Sequence, residues 1–184
     1  MRDGVFICLA VLCVIAAGGT IEAEEAPARA SVAAAKKLEV PGALVATSAG
    51  RNANELLFAA KDGVVQRYRL GEGVVWKAPG EAGSVSAVVA SPKTDDVLVQ
   101  GVEGLVLLDA SSKAPRWRTA AVVTAAFAPD GETVWTVSAD GTVAKLSVAT
   151  GKQVSASKLR VRRSVVRASL HPKAGLVVLG VADG

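Results

Sequence analysis

Short apolar runs alternate with polar turns along most of this chain, and the pattern is clearest between Ala126 and Val154. There, two strand-like runs, Thr133–Ser138 and Thr142–Val148, flank the pair Asp140-Gly141. An Asp-Gly pair between two such runs predicts a tight hairpin in which both turn positions have positive φ. Two further turns are predicted, at Pro129-Asp130-Gly131 and at Ala149-Thr150-Gly151-Lys152. Three turns that join four short strands predict a four-stranded antiparallel sheet.

The same unit recurs along the chain with a nearly constant spacing. Its acidic-glycine turns begin at Asp62, Glu103, Asp140 and Asp183, which are separated by 41, 37 and 43 residues. Breaks at Pro92, Pro129 and Pro172 are separated by 37 and 43 residues and stay in step with these turns. Because two independent markers keep one period, the repeat is strongly indicated. A period of about 40 residues is typical of a β-propeller blade.

The repeat therefore predicts an all-β fold made of β-propeller blades, each with four antiparallel strands. Apolar residues at successive positions, as in GLVLL and GLVVLGV, suit strands that neighbouring blades cover on both faces. Hydrophobic residues make up 51% of the chain but aromatic residues only 4%, so small and β-branched side chains must fill the core. The predicted blades span about 42–77, 84–118, 122–157 and, incomplete, 164–184.

About three and a half blades are fewer than the four to eight that close a propeller, so we expect an incomplete, open ring. The sequence stops at Asp183-Gly184, where the repeat would place a hairpin turn. Three explanations stay open for this ending. The chain is a truncated product, a fragment of a longer gene, or a protomer whose ring is completed by another chain.

Three motifs of the third unit resemble the WD-repeat family. They are Phe127-Ala128-Pro129-Asp130-Gly131, Ser138–Val143 and Ala149-Thr150-Gly151-Lys152, and the similarity extends over about residues 42–184. Where that family has a Trp-Asp pair, this chain has Tyr68-Arg69, Leu108-Asp109 and Leu146-Ser147. The units that end in Trp76 and Trp117 are equally similar to quinoprotein-type propeller repeats. Both resemblances imply a propeller in which loops on a rigid scaffold carry the function.

The first 23 residues are predicted to be a secretory signal peptide. Arg2 gives a positive start, Val5–Ala17 is an uninterrupted apolar run, and Ile21-Glu22-Ala23 offers a cleavage site that ends in a small residue. An uncleaved membrane anchor is the alternative, although the run is shorter than the ~20 residues of a spanning helix. Residues 24–41 are rich in Ala and charge and are interpreted as a linker. We therefore expect export to the periplasm or the extracellular space.

No residue of this sequence is predicted to be catalytic or to bind a metal or a cofactor. Both cysteines, Cys8 and Cys13, lie in the predicted signal peptide, so thiol chemistry is not expected after its removal. His171, the only histidine, precedes a Pro break as Ser91 and Ala128 do, which indicates a turn residue. Nucleophile elbows, calcium loops and phosphate-binding glycine motifs are absent from the sequence. The chain is therefore not expected to be an enzyme.

This chain, whose formal net charge is +4, contains one pronounced cluster of basic residues. It comprises Lys158, Arg160, Arg162, Arg163 and Arg167. The first three would share a face if the segment is extended, because side chains alternate along a strand. The cluster is either a patch for an acidic partner or a solvated outer strand with its inter-blade loop. Nucleic acid is not expected as a partner, since no aromatic residues are interleaved for base stacking.

The three tryptophans are interpreted as packing residues. Trp76 and Trp117 recur at matching positions of their units, and recurrence with the repeat is a structural signature. Trp135 lies in the second strand of its unit and is also predicted to be buried.

Taken together, these patterns favour a noncatalytic, exported propeller segment that acts as a protein-interaction scaffold. The alternative is the propeller portion of a larger or multi-chain enzyme whose catalytic residues lie outside this chain. A protein partner is expected, and contact with a membrane is expected only if the N-terminal segment stays uncleaved.

Overall fold

The structure, a computed structural model, describes residues 43–79 and 81–182, which all belong to one compact unit. In these ranges fourteen β-strands are present, arranged as three four-stranded sheets and one two-stranded sheet. The predicted all-β fold of four-stranded antiparallel blades is confirmed, and the ring is not closed. The predicted signal peptide, residues 1–23, and linker, residues 24–41, lie outside the described residues. Across the described ranges, no helix has the length and apolar character that crossing a bilayer requires.

Each sheet is a meander in which consecutive strands pair antiparallel. Blade I contains β1 (Leu44–Ala49), β2 (Glu55–Ala60), β3 (Val64–Arg69) and β4 (Gly73–Pro79). Blade II contains β5 (Val85–Ala90), β6 (Val97–Gly101), β7 (Gly104–Leu108) and β8 (Pro115–Thr119). Blade III contains β9 (Thr124–Phe127), β10 (Thr133–Val137), β11 (Thr142–Ser147) and β12 (Gln153–Lys158). Blade IV contains β13 (Val165–His171) and β14 (Leu176–Val181), joined by a 3-10 turn over Pro172–Ala174.

The Asp-Gly turns have a different backbone geometry from the one that the sequence predicted. Gly141 has φ +82°, but Asp140 is not among the described residues with positive φ. The Gly141 amide donates to the Ser138 carbonyl at 3.0 Å, and Asp140 Oδ1 accepts from the Thr142 amide at 2.9 Å. The prediction that both turn positions have positive φ is therefore wrong. A three-residue loop with one left-handed glycine closes the hairpin, and the aspartate carboxylate stabilises it.

Blade II shows why its strands are apolar at successive positions. Val97 and Val99 point into a cluster shared with blade I, which includes Leu57. Leu98, between them in the sequence, belongs to a second cluster that includes Phe127 of blade III. Because alternate side chains of one strand point to opposite faces, both faces of this sheet are covered. Burying each such valine or leucine side chain contributes about 1.5–3 kcal/mol to folding.

A tryptophan from the outer strand of one blade reaches the next blade in two places. Trp76 Nε1 donates to the Ala110 carbonyl at 2.9 Å, and Trp117 Nε1 donates to the Val148 carbonyl at 2.7 Å. Both indoles are only 8% exposed, which confirms the predicted packing role. In each four-stranded blade the register between the third and fourth strands shifts by one residue, and both tryptophans pair with the last third-strand residue before that shift. In blade III this position is occupied by Ser155. The outer strand of blade III therefore carries no tryptophan.

Trp135 is less enclosed than the sequence predicted. It is half-buried, and Lys145 Nζ lies 4.6 Å from the centroid of its ring. The two residues face each other across β10 and β11. The expected burial of Trp135 is therefore only partial, because a charged cross-strand neighbour lies over one face of its ring.

The antiparallel meanders give the blades two distinct ends. The first strands β5, β9 and β13 all run toward one end, where each is followed by a Pro break at Pro92, Pro129 or Pro172. This end is named the proline end. The connection from β12 to β13 lies at the opposite end, because β12 runs antiparallel to β9 across the sheet order β12-β11-β10-β9.

Candidate functional site

The predicted basic cluster, residues 158–167, connects blade III to blade IV at the end opposite the proline end. This stretch is named the basic segment. β12 ends at Lys158, where it pairs with Thr142, and β13 begins at Val165. Arg160 and Arg162 therefore lie in a loop, and the extended face that they would have shared with Lys158 is not formed.

The loop of the basic segment is held against the β10–β11 turn. The Leu159 amide donates to the Gly141 carbonyl at 3.1 Å, and the Val165 amide donates to the Ala139 carbonyl at 2.8 Å. Val161 packs directly over Gly141, since a Cβ added to this glycine would lie 2.6 Å from Val161 Cγ2. The Asp-Gly hairpin that marks the repeat thus also positions the basic segment.

One ion pair joins the basic segment to the same turn. Lys158 Nζ lies 3.0 Å from Asp140 Oδ2, which also accepts from the Thr142 hydroxyl at 2.9 Å. The hydrogen bond from the Thr142 amide, followed by that from Lys158, lowers the pKa of Asp140 to about 2. Because both side chains of the ion pair are more than half exposed, its contribution to stability is small.

The remaining arginines of the basic segment differ in their pairing. Arg163 donates a weak hydrogen bond of 3.5 Å to the Ala182 carbonyl. Arg160, Arg162 and Arg167 are exposed, and their side chains make no hydrogen bond or ion pair within residues 43–79 and 81–182. Three guanidinium groups with all their donors available to solvent therefore lie within eight residues of one another.

The arginines of blades I and II are all engaged. Arg51 and Arg67 contact Asp95, Arg69 contacts Glu55 and Glu72, Arg116 contacts Asp96 and Asp109, and Arg118 contacts Glu81. Pairing with acidic side chains is thus the rule for the arginines of the first two blades. The basic segment departs from this rule.

A second candidate is an open groove of about 620 Å³ between blades I and II at the proline end. Arg67 from β3 lies along it with only 7% of its side chain exposed. Its guanidinium donates to the Asp95 carbonyl and lies 5.8 Å from the centroid of the Trp76 ring. No sequence pattern predicted this site, because Arg67 and Asp95 come from different positions of the repeat and meet only when two blades pack together.

The charged side chains of this groove form ion pairs and hydrogen bonds with one another. Arg116 donates to Asp96 at 2.9 and 3.2 Å and to Asp109 at 2.6 Å. Hydrogen bonds from Arg116 and from the Ser112 amide hold the pKa of Asp109 well below its usual range. Burial raises the pKa of Glu55, but hydrogen bonds from Arg69 and Asn52 outweigh it, and the net shift is downward. The groove is therefore best explained as a network that joins and stabilises blades I and II.

The described part of the chain contains no cluster of metal-binding side chains. No three His, Cys, Asp or Glu side chains among residues 43–79 and 81–182 converge on a site for a metal ion. His171 is a turn residue, as predicted: its Nδ1 accepts from the Ala174 amide at 3.2 Å and caps the 3-10 turn. Of the two candidates, only the basic segment presents charged groups without partners.

A comparison with protein families finds a match that covers more than half of the chain. A family model, PQQ_2, described as outer membrane protein assembly factor BamB, matches residues 61–184. This match supports the resemblance to quinoprotein-type propeller repeats that the units ending in Trp76 and Trp117 indicated. No curated protein sequence matches the chain.

Among solved structures, the β-propeller domain of Myceliophteria thermophila Cps50 (Swd1) is similar, with a TM-score of 0.63 and 13% sequence identity. The similarity covers 76% of this chain and 49% of that domain, so the chain spans about half its length. At this level of identity the likeness shows the β-propeller fold and carries no information on function.

Proposed function

Since the chain belongs to the PQQ_2 family of propeller repeats, described as outer membrane protein assembly factor BamB, we propose that it is a noncatalytic, exported scaffold that binds a protein partner. The partner presents an acidic surface to the basic segment. In keeping with the family description, the partner is a component of outer membrane protein assembly. Export follows from the predicted signal peptide over residues 1–23.

The observation that carries this proposal is the contrast in arginine pairing. Arg160, Arg162 and Arg167 have no partner within the described residues, whereas the arginines of blades I and II are engaged by acidic side chains. An arginine presents five donors in a planar fork that matches a carboxylate in a bidentate geometry. Two such groups on the loop, with Arg167 near the start of β13, suit the aspartates and glutamates of an acidic protein surface.

The scaffold supports this role because it fixes the loop without using the arginine side chains. Backbone hydrogen bonds at Leu159 and Val165 hold both ends of the loop to blade III, and Val161 packs on Gly141. Binding on a loop anchored in this way needs less ordering of the backbone than binding on a free segment. The backbone that carries the guanidinium groups is therefore already positioned before the partner binds.

The proposal is tested by photo-crosslinking in the organism that makes the protein. A photoreactive amino acid replaces Ser164, an exposed residue of the basic segment, and the full chain is expressed. We expect a discrete adduct with a cell-envelope protein. The adduct is lost in the triple variant Arg160→Glu, Arg162→Glu and Arg167→Glu, because like charges then face the acidic partner.

A second triple variant with the same change in net charge provides the control. Lys61, Lys77 and Lys152 are exposed and make no ion pair in the described part of the chain, so their replacement by glutamate leaves the adduct in place. Equal loss of the adduct in both variants, or no adduct in the parent protein, contradicts the proposal. Circular dichroism confirms that each variant retains the β-sheet fold.

A further inference from the structure

An apolar groove of about 330 Å³ lies at the proline end, where the first strands of blades II, III and IV come together. It is named the channel-mouth groove, because propeller blades are arranged around a central channel. Its apolar walls are Val89 of blade II, Ala126 and Phe127 of blade III, and Leu170 of blade IV. The groove is separate from the basic segment, which lies at the opposite end of the blades.

The repeat itself builds this groove. Pro92, Pro129 and Pro172, which follow the first strand of three successive blades, all line it. Proline has no amide hydrogen, so these three wall positions offer no backbone donor to a bound molecule. Side chains at the edge of the groove can supply donors in their place.

Two side chains of blade IV supply hydrogen-bond donors at the edge of the groove. Lys173 is the one charged residue of its lining, is exposed, and makes no ion pair within the described ranges. His171 accepts from the Ala174 amide through Nδ1, so its neutral ring carries the proton on Nε2. An ammonium and an imidazole N–H thus lie two residues apart beside an apolar surface.

We propose that the channel-mouth groove binds an extended segment of the protein partner in which apolar side chains flank a carboxylate. Val89, Phe127 and Leu170 contact the apolar side chains, and Lys173 and His171 Nε2 donate to the carboxylate. Charge complementarity selects this occupant, since the lining has one unpaired cation and no anion. The inference rests on the proposed function as a protein-binding scaffold.

The neighbouring blade offers a matched control for the charge. Lys93 follows Pro92 in blade II as Lys173 follows Pro172 in blade IV, and both lysines are exposed. Lys93 does not line the groove, and its side chain packs beside Gly131 instead. Replacing either lysine by glutamine removes one positive charge from the same end of the molecule.

The test measures binding of two probe peptides to the purified chain by isothermal titration calorimetry. The probes are the acetylated, amidated pentapeptide Leu-Glu-Leu-Glu-Leu and its counterpart with glutamine in place of glutamate. We expect the glutamate peptide to bind about fivefold more tightly, because glutamine still accepts a hydrogen bond but lacks the negative charge that attracts Lys173. Lys173→Gln removes this preference, while Lys93→Gln changes either affinity by less than about twofold.

The two proposals fail in different ways. Equal binding of the two peptides, no binding of the glutamate peptide, or equal effects of Lys173→Gln and Lys93→Gln overturns the channel-mouth inference. An adduct at position 164 that depends on the three arginines leaves the proposed function standing in each of these cases. Leu170→Ala adds a readout independent of charge, since it weakens both peptides by a similar factor if the apolar wall takes part.

Discussion

The indole Nε1 of Trp117 donates a buried hydrogen bond of 2.7 Å to the Val148 carbonyl, across the interface between blades II and III. The same bond joins Trp76 to Ala110 one blade earlier. The two accepting carbonyls are equivalent in the repeat. In the turn after the third strand of blades II and III, the carbonyl of Asp109 or Ser147 accepts the closing backbone hydrogen bond, and Ala110 or Val148 is the next residue. One interaction thus recurs at two successive interfaces of the repeat.

Replacing Trp117 by phenylalanine is expected to lower the free energy of unfolding by about 1–3 kcal/mol, since the buried Val148 carbonyl loses its donor while most of the ring remains. Urea denaturation followed by circular dichroism measures the change. Trp135→Phe is the control, because the half-buried Trp135 indole has no hydrogen-bond partner in the described residues. An equal loss of stability in the two variants contradicts the role assigned to the Trp117 hydrogen bond.

Among the carboxylates of the groove between blades I and II, Asp96 is expected to contribute most to the stability of the fold. It is 4% exposed and accepts from Arg116, the Thr94 hydroxyl and the Ala110 amide. Asp96→Ala should lower the free energy of unfolding by about 2–4 kcal/mol, because three donors lose a buried partner.

Asp95→Ala is the control for Asp96→Ala in the same denaturation experiment. The Asp95 side chain is 48% exposed and lies 3.5 Å from the nearest nitrogens of Arg51 and Arg67. The exposed pair with Arg51 contributes about 0–1 kcal/mol. The buried Arg67 keeps its hydrogen bond to the main-chain carbonyl of residue 95 in the variant, so Asp95→Ala is expected to cost less than Asp96→Ala. A larger loss for Asp95→Ala than for Asp96→Ala would show that burial does not set the energetics of this network.

Gly141→Ala should both destabilise the protein and loosen the basic segment. Gly141 has φ +82°, and an added Cβ would meet Val161 at 2.6 Å, whereas Gly71 has φ +92° and nothing within 4 Å. Gly71→Ala is expected to cost about 1 kcal/mol for the left-handed backbone alone. Gly141→Ala should cost about 2–4 kcal/mol because steric overlap is added. Trypsin cleavage at Arg160 or Arg162 should become faster only in Gly141→Ala, and equal rates in the two variants would argue against this anchoring.

The hydrogen bonds that Asp140 accepts from the Thr142 amide and from Lys158 predict a specific dependence of stability on pH. The pKa of Asp140 falls from 3.8 to about 2 in the folded protein, so folding favours the ionised carboxylate. Its contribution is therefore fully present above pH 3.8 and is lost as the pH falls through about 2. The difference in unfolding free energy between the parent and Asp140→Asn should be constant at mild pH and shrink on acidification. A difference that does not change down to pH 2 would contradict this assignment.

The sequence was sufficient to predict the blades, because two markers with one period identify turns that depend on local residues alone. Gly63, Gly131 and Gly141 all have positive φ in the structure, and each follows an aspartate, as the turn prediction required. The φ of Asp140 was predicted wrongly because the Asp-Gly motif suits both two-residue and three-residue loops. Only the hydrogen bond from Gly141 to Ser138 distinguishes them.

The candidate site was predictable in part. The clustering of basic residues along the sequence identified the cations of the basic segment. The end of β12 at Lys158 and the partners of each arginine depend on tertiary contacts, which the sequence does not show. Arg67 and Asp95 are 28 residues apart and meet at a blade interface. No periodic pattern relates them, since Arg67 lies within a third strand and Asp95 in the turn between the first and second strands of the next blade.

Ser155 at the tryptophan position of blade III has a consequence for the cooperativity of the whole array. Repeat proteins behave as a one-dimensional series in which each unit is coupled chiefly to its neighbours, so the weakest coupling sets where cooperative unfolding begins. The hydroxymethyl group of Ser155 buries far less surface than an indole and does not supply the long-range donor of Trp76 and Trp117. Blade IV should therefore exchange its amide hydrogens before blades I to III, and the array should unfold from that side inward.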